Sequence, residues 1–188
     1  MTPTDVPPDS EESYYSVAKR IARERPDSFY VNQYNDLDNV ESHYLSTGPE
    51  IWEQTGGKID IRVIAVDPVG SVLYDYFKSG KMIEPHVYKL EGIGEDMLVE
   101  CVDFSVIDDM IQATDRDSFI MARRLAREEG LFAGGSSGSA MWAAEKVSKA
   151  EGRGKRIVVI LPDHGNRYLT KLYSDDWMEE HYPGSTNS

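Results

Sequence analysis

A single cysteine, Cys101, stands in a chain of 188 residues, which excludes an intrachain disulfide framework and fits a reducing compartment. Bases are scarce. Lys and Arg together number 20 against 33 Asp and Glu, a formal net charge of −13. Such a surface repels phosphate backbones and anionic membranes, so neither nucleic acid nor a membrane is expected as a partner. Long apolar runs are also lacking. The stretch from Ile157 to Leu161 is far too short to cross a bilayer. The first residues hold no basic segment followed by an apolar one, so no secretory leader is expected and the expected location is cytoplasmic. Metal-ligand spacing is missing too: His43, His86, His164 and His181 are scattered, with no HExxH or CxxC pattern. Cys101 lies beside Glu100 and near Asp103. These negative neighbours disfavour a thiolate and mark it as an inert thiol.

What is present reads as alternating helices and short strands. Ser10 is expected to cap a helix running to about Arg25, with Tyr15, Val17, Ala18, Ile21 and Ala22 on its apolar side and Pro26 as its stop. Ser28 to Val31 reads as a short buried strand. Val40 to Thr55 reads as helical, with a break near Gly48-Pro49 and an end at Gly56-Gly57. Ile61 to Val66 is expected to be a strand, and Val69 to about Lys78 a helix. Residues 95–117 hold eight acids and one base, Arg116, and read as a solvated face around helix caps. Thr114 or Asp115 is expected to cap a helix that ends at Gly130, and a further helix should run to about Ala150. Arg156 to Leu161, RIVVIL, carries the strongest strand signal, and two short helical stretches follow. Residues 183–188 read as a disordered tail. Short apolar strands without polar alternation, separated by helices, predict an α/β fold with a parallel sheet covered by helices on both faces.

The most pointed local signal is Gly134-Gly135-Ser136-Ser137-Gly138-Ser139, between an apolar run and a helix. N–H groups exposed at a helix start, with the helix dipole, favour electron-rich partners, and the serines add hydroxyls. A tight turn with serine caps explains the same residues structurally. GGSSG also satisfies G-x-S-x-G, the nucleophile elbow of α/β-hydrolases. Ser136 would then be the nucleophile, with Asp163 and either His164 or His181. Adjacent Asp163 and His164 would struggle to align with each other and with one serine. Trp52, Trp142 and Trp177 read as packing residues rather than a stacking platform.

LFAGGSSGSA, VVILPDHGNRYLTKLYSDDWM, YKLEGIGED and QYNDLDNVESHYLSTGPEIWEQTGGKID occur in the order found in pyridoxal-phosphate enzymes of the tryptophan-synthase fold type, and the chain resembles that family. Within it, RYLTKLYSDDWM is more similar to the cystathionine β-synthase branch than to the cysteine synthases. The resemblance runs from Pro3-Thr4 to about His181, so residues 1–182 are expected to be a partial catalytic core of fold type II. It implies pyridoxal phosphate as cofactor and small amino acids as substrates: the branch condenses L-serine with L-homocysteine by β-replacement. It also implies roles for residues. Ser136 matches the serine that hydrogen-bonds the cofactor's pyridine nitrogen. A hydroxyl there leaves that nitrogen largely unprotonated and the ring a moderate electron sink. Gly92-Ile93-Gly94 matches a loop beside the cofactor, where Gly92 and Gly94 let the backbone approach a planar ligand. Gln33 matches a glutamine near the substrate carboxylate, and Tyr34 its neighbour on the pocket wall. Asp163 follows an expected strand end, where open parallel sheets place their sites.

The departures are as specific as the matches. None of the nine lysines stands in the family's Schiff-base motif, which precedes the matching region. Lys19 and Lys146 lie on expected helices, and Lys171 is in the C-terminal block but not at that position. No catalytic residue is therefore assigned. A second departure is internal. Where the family follows GGKID with a strand, a glycine-rich phosphate-binding turn and a helix, Asp60 here runs straight into Ile61. About one strand–turn–helix unit is missing near 60/61, in frame, as exon skipping or a gene-model deletion leaves. The phosphate would lose its N–H cradle. The expectation is a chain inactive alone, either a truncated isoform that pairs with a full-length subunit or a member of a homo-oligomer. Strands left without neighbours are expected to make it prone to aggregate.

Overall fold

The computed structural model describes residue 2 and residues 6–57 and 61–186. The expectations for Pro3-Thr4 and for the join at Asp60 lie outside the described residues. The fold is mixed α/β with a parallel sheet, in two compact units: 1–63 with 95–108, and 64–94 with 109–188.

In the first unit, helix α1 spans Tyr14–Glu24. Its cap is Ser13 rather than Ser10, because the Ser13 hydroxyl both accepts the Ser16 N–H at 3.1 Å and donates to the Pro8 carbonyl at 2.7 Å. Helix α2 spans Leu37–Leu45 and is capped by Asp36, which accepts the Asp38 N–H at 3.1 Å. Helix α3 spans Thr47–Gln54. The break falls at Ser46, ahead of the expected Gly48-Pro49, since a proline is tolerated in a first turn where its missing N–H has no intrahelical partner. Gly56 and Gly57, at φ +73° and +64°, end α3 as expected. Ser28 to Val31 is not a strand: it is irregular, and Phe29 and Val31 are 84% and 62% exposed.

In the second unit, strand β1 spans Ile64–Pro68 and pairs in parallel with β2, Asp109–Ala113, in a register that sets Ile64 opposite Asp109 and Pro68 opposite Ala113. The strand expected at Ile61 to Val66 is thus shifted toward Pro68, because the partner starts at Asp109. Val63 and Asp108 are joined just ahead of the ladder, the Asp108 N–H donating to the Val63 carbonyl at 2.9 Å. Strand β2 lies inside the acidic run read as a solvated face. That reading is corrected here: Met110 and Ala113 are buried. Helix α4 is Leu73–Ser79, ended by Gly80 at φ +67°. Helix α5 spans Asp115–Glu128 with the expected Thr114 cap, and α6 spans Gly135–Glu151. The two helices meet closely at Gly138, where a β-carbon would stand 2.0 Å from the Ser118 carbonyl oxygen. The last helix, α7, is Asp175–His181, preceded by a 3-10 turn at Gly165–Tyr168. These are the two short closing helical stretches.

The core of this unit gathers Leu90, Phe119, Ala122, Tyr168, Leu172 and Met178. Trp177 packs on it, as a packing residue should, whereas Trp52 is half exposed. Arg156 to Leu161 does not form the expected strand. It is irregular, among the described residues no strand pairs with it, and Ile157, Val158 and Ile160 are exposed. A strand exists only when a neighbour satisfies its backbone and covers its faces. The expected tail is, through residue 186, a turn with Ser185 buried and the Gly184 N–H donating to the Glu179 carboxylate at 3.1 Å. No described helix is long and apolar enough to cross a membrane.

Candidate functional site

Serines and glycines that would weaken a helix interior stand at its start, where free N–H groups collect. GSSGS forms the first turn of α6, not a loop ahead of it. Ser136 is 2% exposed, and Ser137 is fully buried. Neither hydroxyl oxygen has a hydrogen-bond partner, a costly state unless a ligand supplies one. Ser139, one turn on, is satisfied: its hydroxyl donates to Ser118 Oγ at 2.8 Å.

The loop holding Gly92 and Gly94 comes to the same place. A β-carbon on Gly92 would lie 4.0 Å from Ser136 Oγ, so the loop passes beside the buried hydroxyl without bonding it. Both glycines are left-handed, at φ +76° and +81°. At Gly94 a β-carbon would meet Pro68 Cγ at 2.4 Å, at the carboxyl end of β1. The structure thus sets Gly92 beside Ser136, while Gly94, in the same unit, packs against Pro68.

Asp163 is the third group at this helix start. Its backbone carbonyl accepts the Gly134 N–H at 3.2 Å. Its Oδ2 accepts the Tyr168 hydroxyl at 2.5 Å, while Oδ1 is buried without a partner. Burial first, then the neighbouring Asp163 carboxylate, raises the Tyr168 phenol above its ordinary range, so it stays a donor. Nothing in the sequence spacing signals this pair.

Gln33 and Tyr34 belong to the other unit, in the turn before α2, which begins at Asn32 with φ +47°. Gln33 is exposed at an open hollow of about 410 Å³ that also takes in Phe29, Val31 and Asn39. The turn is fastened by its neighbour segment. The Cys101 N–H donates to the Tyr34 carbonyl at 3.2 Å, and its thiol donates to the Gln33 and Asp36 carbonyls at 3.4 Å each. Cys101 is thus a clip. Tyr34 further meets Tyr14 hydroxyl to hydroxyl at 3.3 Å and Tyr15 edge-on at 5.1 Å between ring centres.

The hydrolase arrangement is not assembled. Ser136 Oγ has no base, His164 Nδ1 accepts its own loop's Asn166 N–H at 3.4 Å, and His181 Nδ1 meets the Trp177 carbonyl at 2.9 Å. The lysines named above are engaged elsewhere or solvated: Lys146 Nζ lies 3.7 Å from the centre of the Trp142 ring, and Lys171 pairs with Glu91. Among the described residues, no group of three His, Cys, Asp or Glu side chains could hold a metal ion.

Comparison with known proteins adds an independent line. The model of the family described as pyridoxal-phosphate dependent enzyme matches residues 3–66 and 59–163. The chain is 40% identical over 203 aligned positions to cystathionine beta-synthase of Apis mellifera, covering 95% of this chain and 40% of that protein. It is 38% identical to cystathionine beta-synthase of Mus musculus, covering 94% of this chain and 36% of the relative. Cysteine synthase of Buchnera aphidicola is 34% identical over 184 positions, covering 82% of this chain and 58% of that one. The chain therefore spans about two fifths of the length of the first two relatives.

Proposed function

This chain belongs to the pyridoxal-phosphate dependent enzyme family, and from that premise we propose that it carries part of the cofactor wall and part of the substrate wall of a cystathionine β-synthase-type core. The reaction of such a core joins L-serine to L-homocysteine by β-replacement, in transsulfuration and cysteine biosynthesis, and the proposed location is cytoplasmic. The observation that carries the reading is the buried Ser136 hydroxyl, unpartnered and beside Gly92.

The residues present fit the ring end of the cofactor. When bound, pyridoxal phosphate supplies an electron sink for chemistry at an amino acid's β-carbon. Ser136 Oγ would hold the pyridine nitrogen through a neutral hydrogen bond. Gly92 would give a flat ligand room beside the loop, Gly94 would let the loop close on Pro68, and the first N–H groups of α6 would favour electron density there. Gln33 and Tyr34 would orient the substrate.

The phosphate end lacks its cradle in this chain. Two features support an internal deletion of a strand–turn–helix unit near 60/61. The family match falls into two segments that meet at 59–66. The alignment with the Apis relative needs 203 positions against 188 residues, so at least 15 find no counterpart here. On the strength of that internal deletion, we propose that these residues by themselves do not turn over, and act beside a full-length subunit.

The test is direct. Titration with pyridoxal 5′-phosphate, read by tryptophan fluorescence, should saturate, and Ser136→Ala should weaken it about tenfold, the worth of one desolvated hydrogen bond. Equal affinity in both proteins would overturn the assignment of Ser136. Borohydride reduction should fix no pyridoxyl group stoichiometrically to one lysine. A single modified lysine would refute the claim of inactivity.

A further inference from the structure

We propose that Asp115 is a positioning residue for the ligand site: it holds the loop that carries Gly92 and Gly94 against the start of α6. The inference rests on reading Ser136 and that loop as a cofactor wall.

Asp115 is the first residue of α5, and its carboxylate gathers three donors from two distant parts of the chain. Oδ2 accepts the Lys89 N–H at 2.7 Å and the Tyr182 hydroxyl at 3.0 Å. Oδ1 accepts the Leu90 N–H at 3.2 Å. A two-oxygen acceptor that binds successive backbone N–H groups fixes the position and the direction of the chain between them. The residue so fixed, Leu90, is 4% exposed, and its Cδ2 lies 3.0 Å from where a β-carbon on Gly135 would stand. The loop is therefore seated on the first residue of α6, one position before Ser136. Glu91 follows and pairs with Lys171. Gly92, facing Ser136 Oγ, comes next. Shifting Leu90 shifts the wall, because packed side chains transmit displacement rather than absorb it.

Charge at a helix start also stabilises α5, so loss of Asp115 would have an ordinary structural effect. Asp117 separates the two effects. It too is acidic and in the first turn of α5, and its Oδ2 accepts the Thr114 hydroxyl at 2.8 Å, but no hydrogen bond joins it to the 89–94 loop.

The experiment compares Asp115→Asn with Asp117→Asn in the full chain by amide hydrogen exchange and by titration with pyridoxal 5′-phosphate. In Asp115→Asn, exchange at residues 89–94 should rise at least about tenfold, as expected for a lost charge-assisted hydrogen bond, while the central amides of α5 and α6 stay protected. In Asp117→Asn the loop should stay within about twofold of the unsubstituted chain. Pyridoxal phosphate affinity should fall about tenfold in the first variant and not in the second. Unchanged loop exchange in Asp115→Asn, or equal loosening in both variants, would overturn the proposal. If Asp115→Asn does not fold, Tyr182→Phe removes one donor and keeps the helix charge. It should raise loop exchange severalfold without exposing α5, and no rise would overturn the proposal. A chain that binds no pyridoxal phosphate would refute the cofactor reading, while the exchange comparison would still decide whether Asp115 holds the loop.

Discussion

Asp163 Oδ1 stands 2.0 Å from the position a β-carbon on Gly134 would occupy, so the carboxylate and the helix start have closed on each other with no room for a methyl group. The Tyr168 ring is the second obstacle, with an edge carbon 2.7 Å from the same point. Gly134 itself has φ −80°, an ordinary conformation for any residue. The demand for glycine is therefore one of space, not of backbone freedom.

Gly134→Ala should force Asp163 away from Tyr168, breaking the 2.5 Å hydrogen bond. Overpacking of this kind costs roughly 1–3 kcal/mol, which for a chain of this size lowers Tm by roughly 3–10 °C. Thermal unfolding of the variant measures it. A Tm within a degree of the parent would show that Asp163 moves freely and is no part of a built site.

Ser136 should not behave as a nucleophile. An activated serine needs a base within hydrogen-bond reach, and Ser136 Oγ has no partner. A fluorophosphonate probe, followed by intact mass, should leave the chain unlabelled. Stoichiometric labelling that disappears in Ser136→Ala would restore the hydrolase reading.

The parts of this molecule visible in its sequence are those set by local chemistry. The Thr114 cap of α5, the Gly56-Gly57 end of α3 and the helix after Gly134 depend on neighbours within a few residues. Strand β2 was hidden because Asp109 and Gln112 break the apolar pattern. Asp109 is accommodated by Lys78, 2.5 Å away and 31 residues earlier. RIVVIL misled in the opposite direction: β-branched residues describe what a strand would contain, not whether a neighbour is there to pair with it. Ser136 and Gly92 could be named from a family resemblance. The grip of Asp115 on the Lys89 and Leu90 backbone could not, since its partners are amides that every residue type carries and a tyrosine 67 positions away.

Asp67 should make stability depend on pH. It is 2% exposed at the end of β1, and its Oδ2 accepts the Tyr74 N–H at 2.9 Å while Oδ1 is unpartnered. Burial raises its pKa from 3.8 to about 6, with the Ser71 hydroxyl and the Tyr74 N–H pulling the other way and Asp75 adding to the rise. Because the folded value lies above the unfolded one, the favourable increment is complete below about pH 4. It drains away as pH climbs toward 6 and is gone above that. The increment is on the order of 2–3 kcal/mol. Asp67→Asn should therefore raise Tm at pH 7 and leave it nearly unchanged at pH 4. A Tm difference that stays constant from pH 4 to pH 8 would contradict this.

The segment from Arg156 to Leu161 should control self-association. Val158 and Ile160 are 49% and 60% exposed, and no backbone hydrogen bond ties residues 157–161 to the rest of the described chain. An exposed, β-branched segment of this kind offers a second chain unpaired N–H and C=O groups together with apolar side chains. Phe29 and Val31 leave further apolar surface uncovered. The chain should therefore associate as its concentration rises, in sizing by light scattering. Lysine at both Val158 and Ile160 should suppress that association, because charge on an edge opposes pairing. The same substitutions, made at exposed sites, should change stability by no more than about 0.5 kcal/mol each, leaving Tm close to the parent's. Suppressed association with an unchanged Tm separates an edge effect from unfolding. A parent chain that stays a monodisperse monomer at high concentration, or a doubly substituted chain that aggregates as readily, would show that this segment is not the exposed edge that drives association.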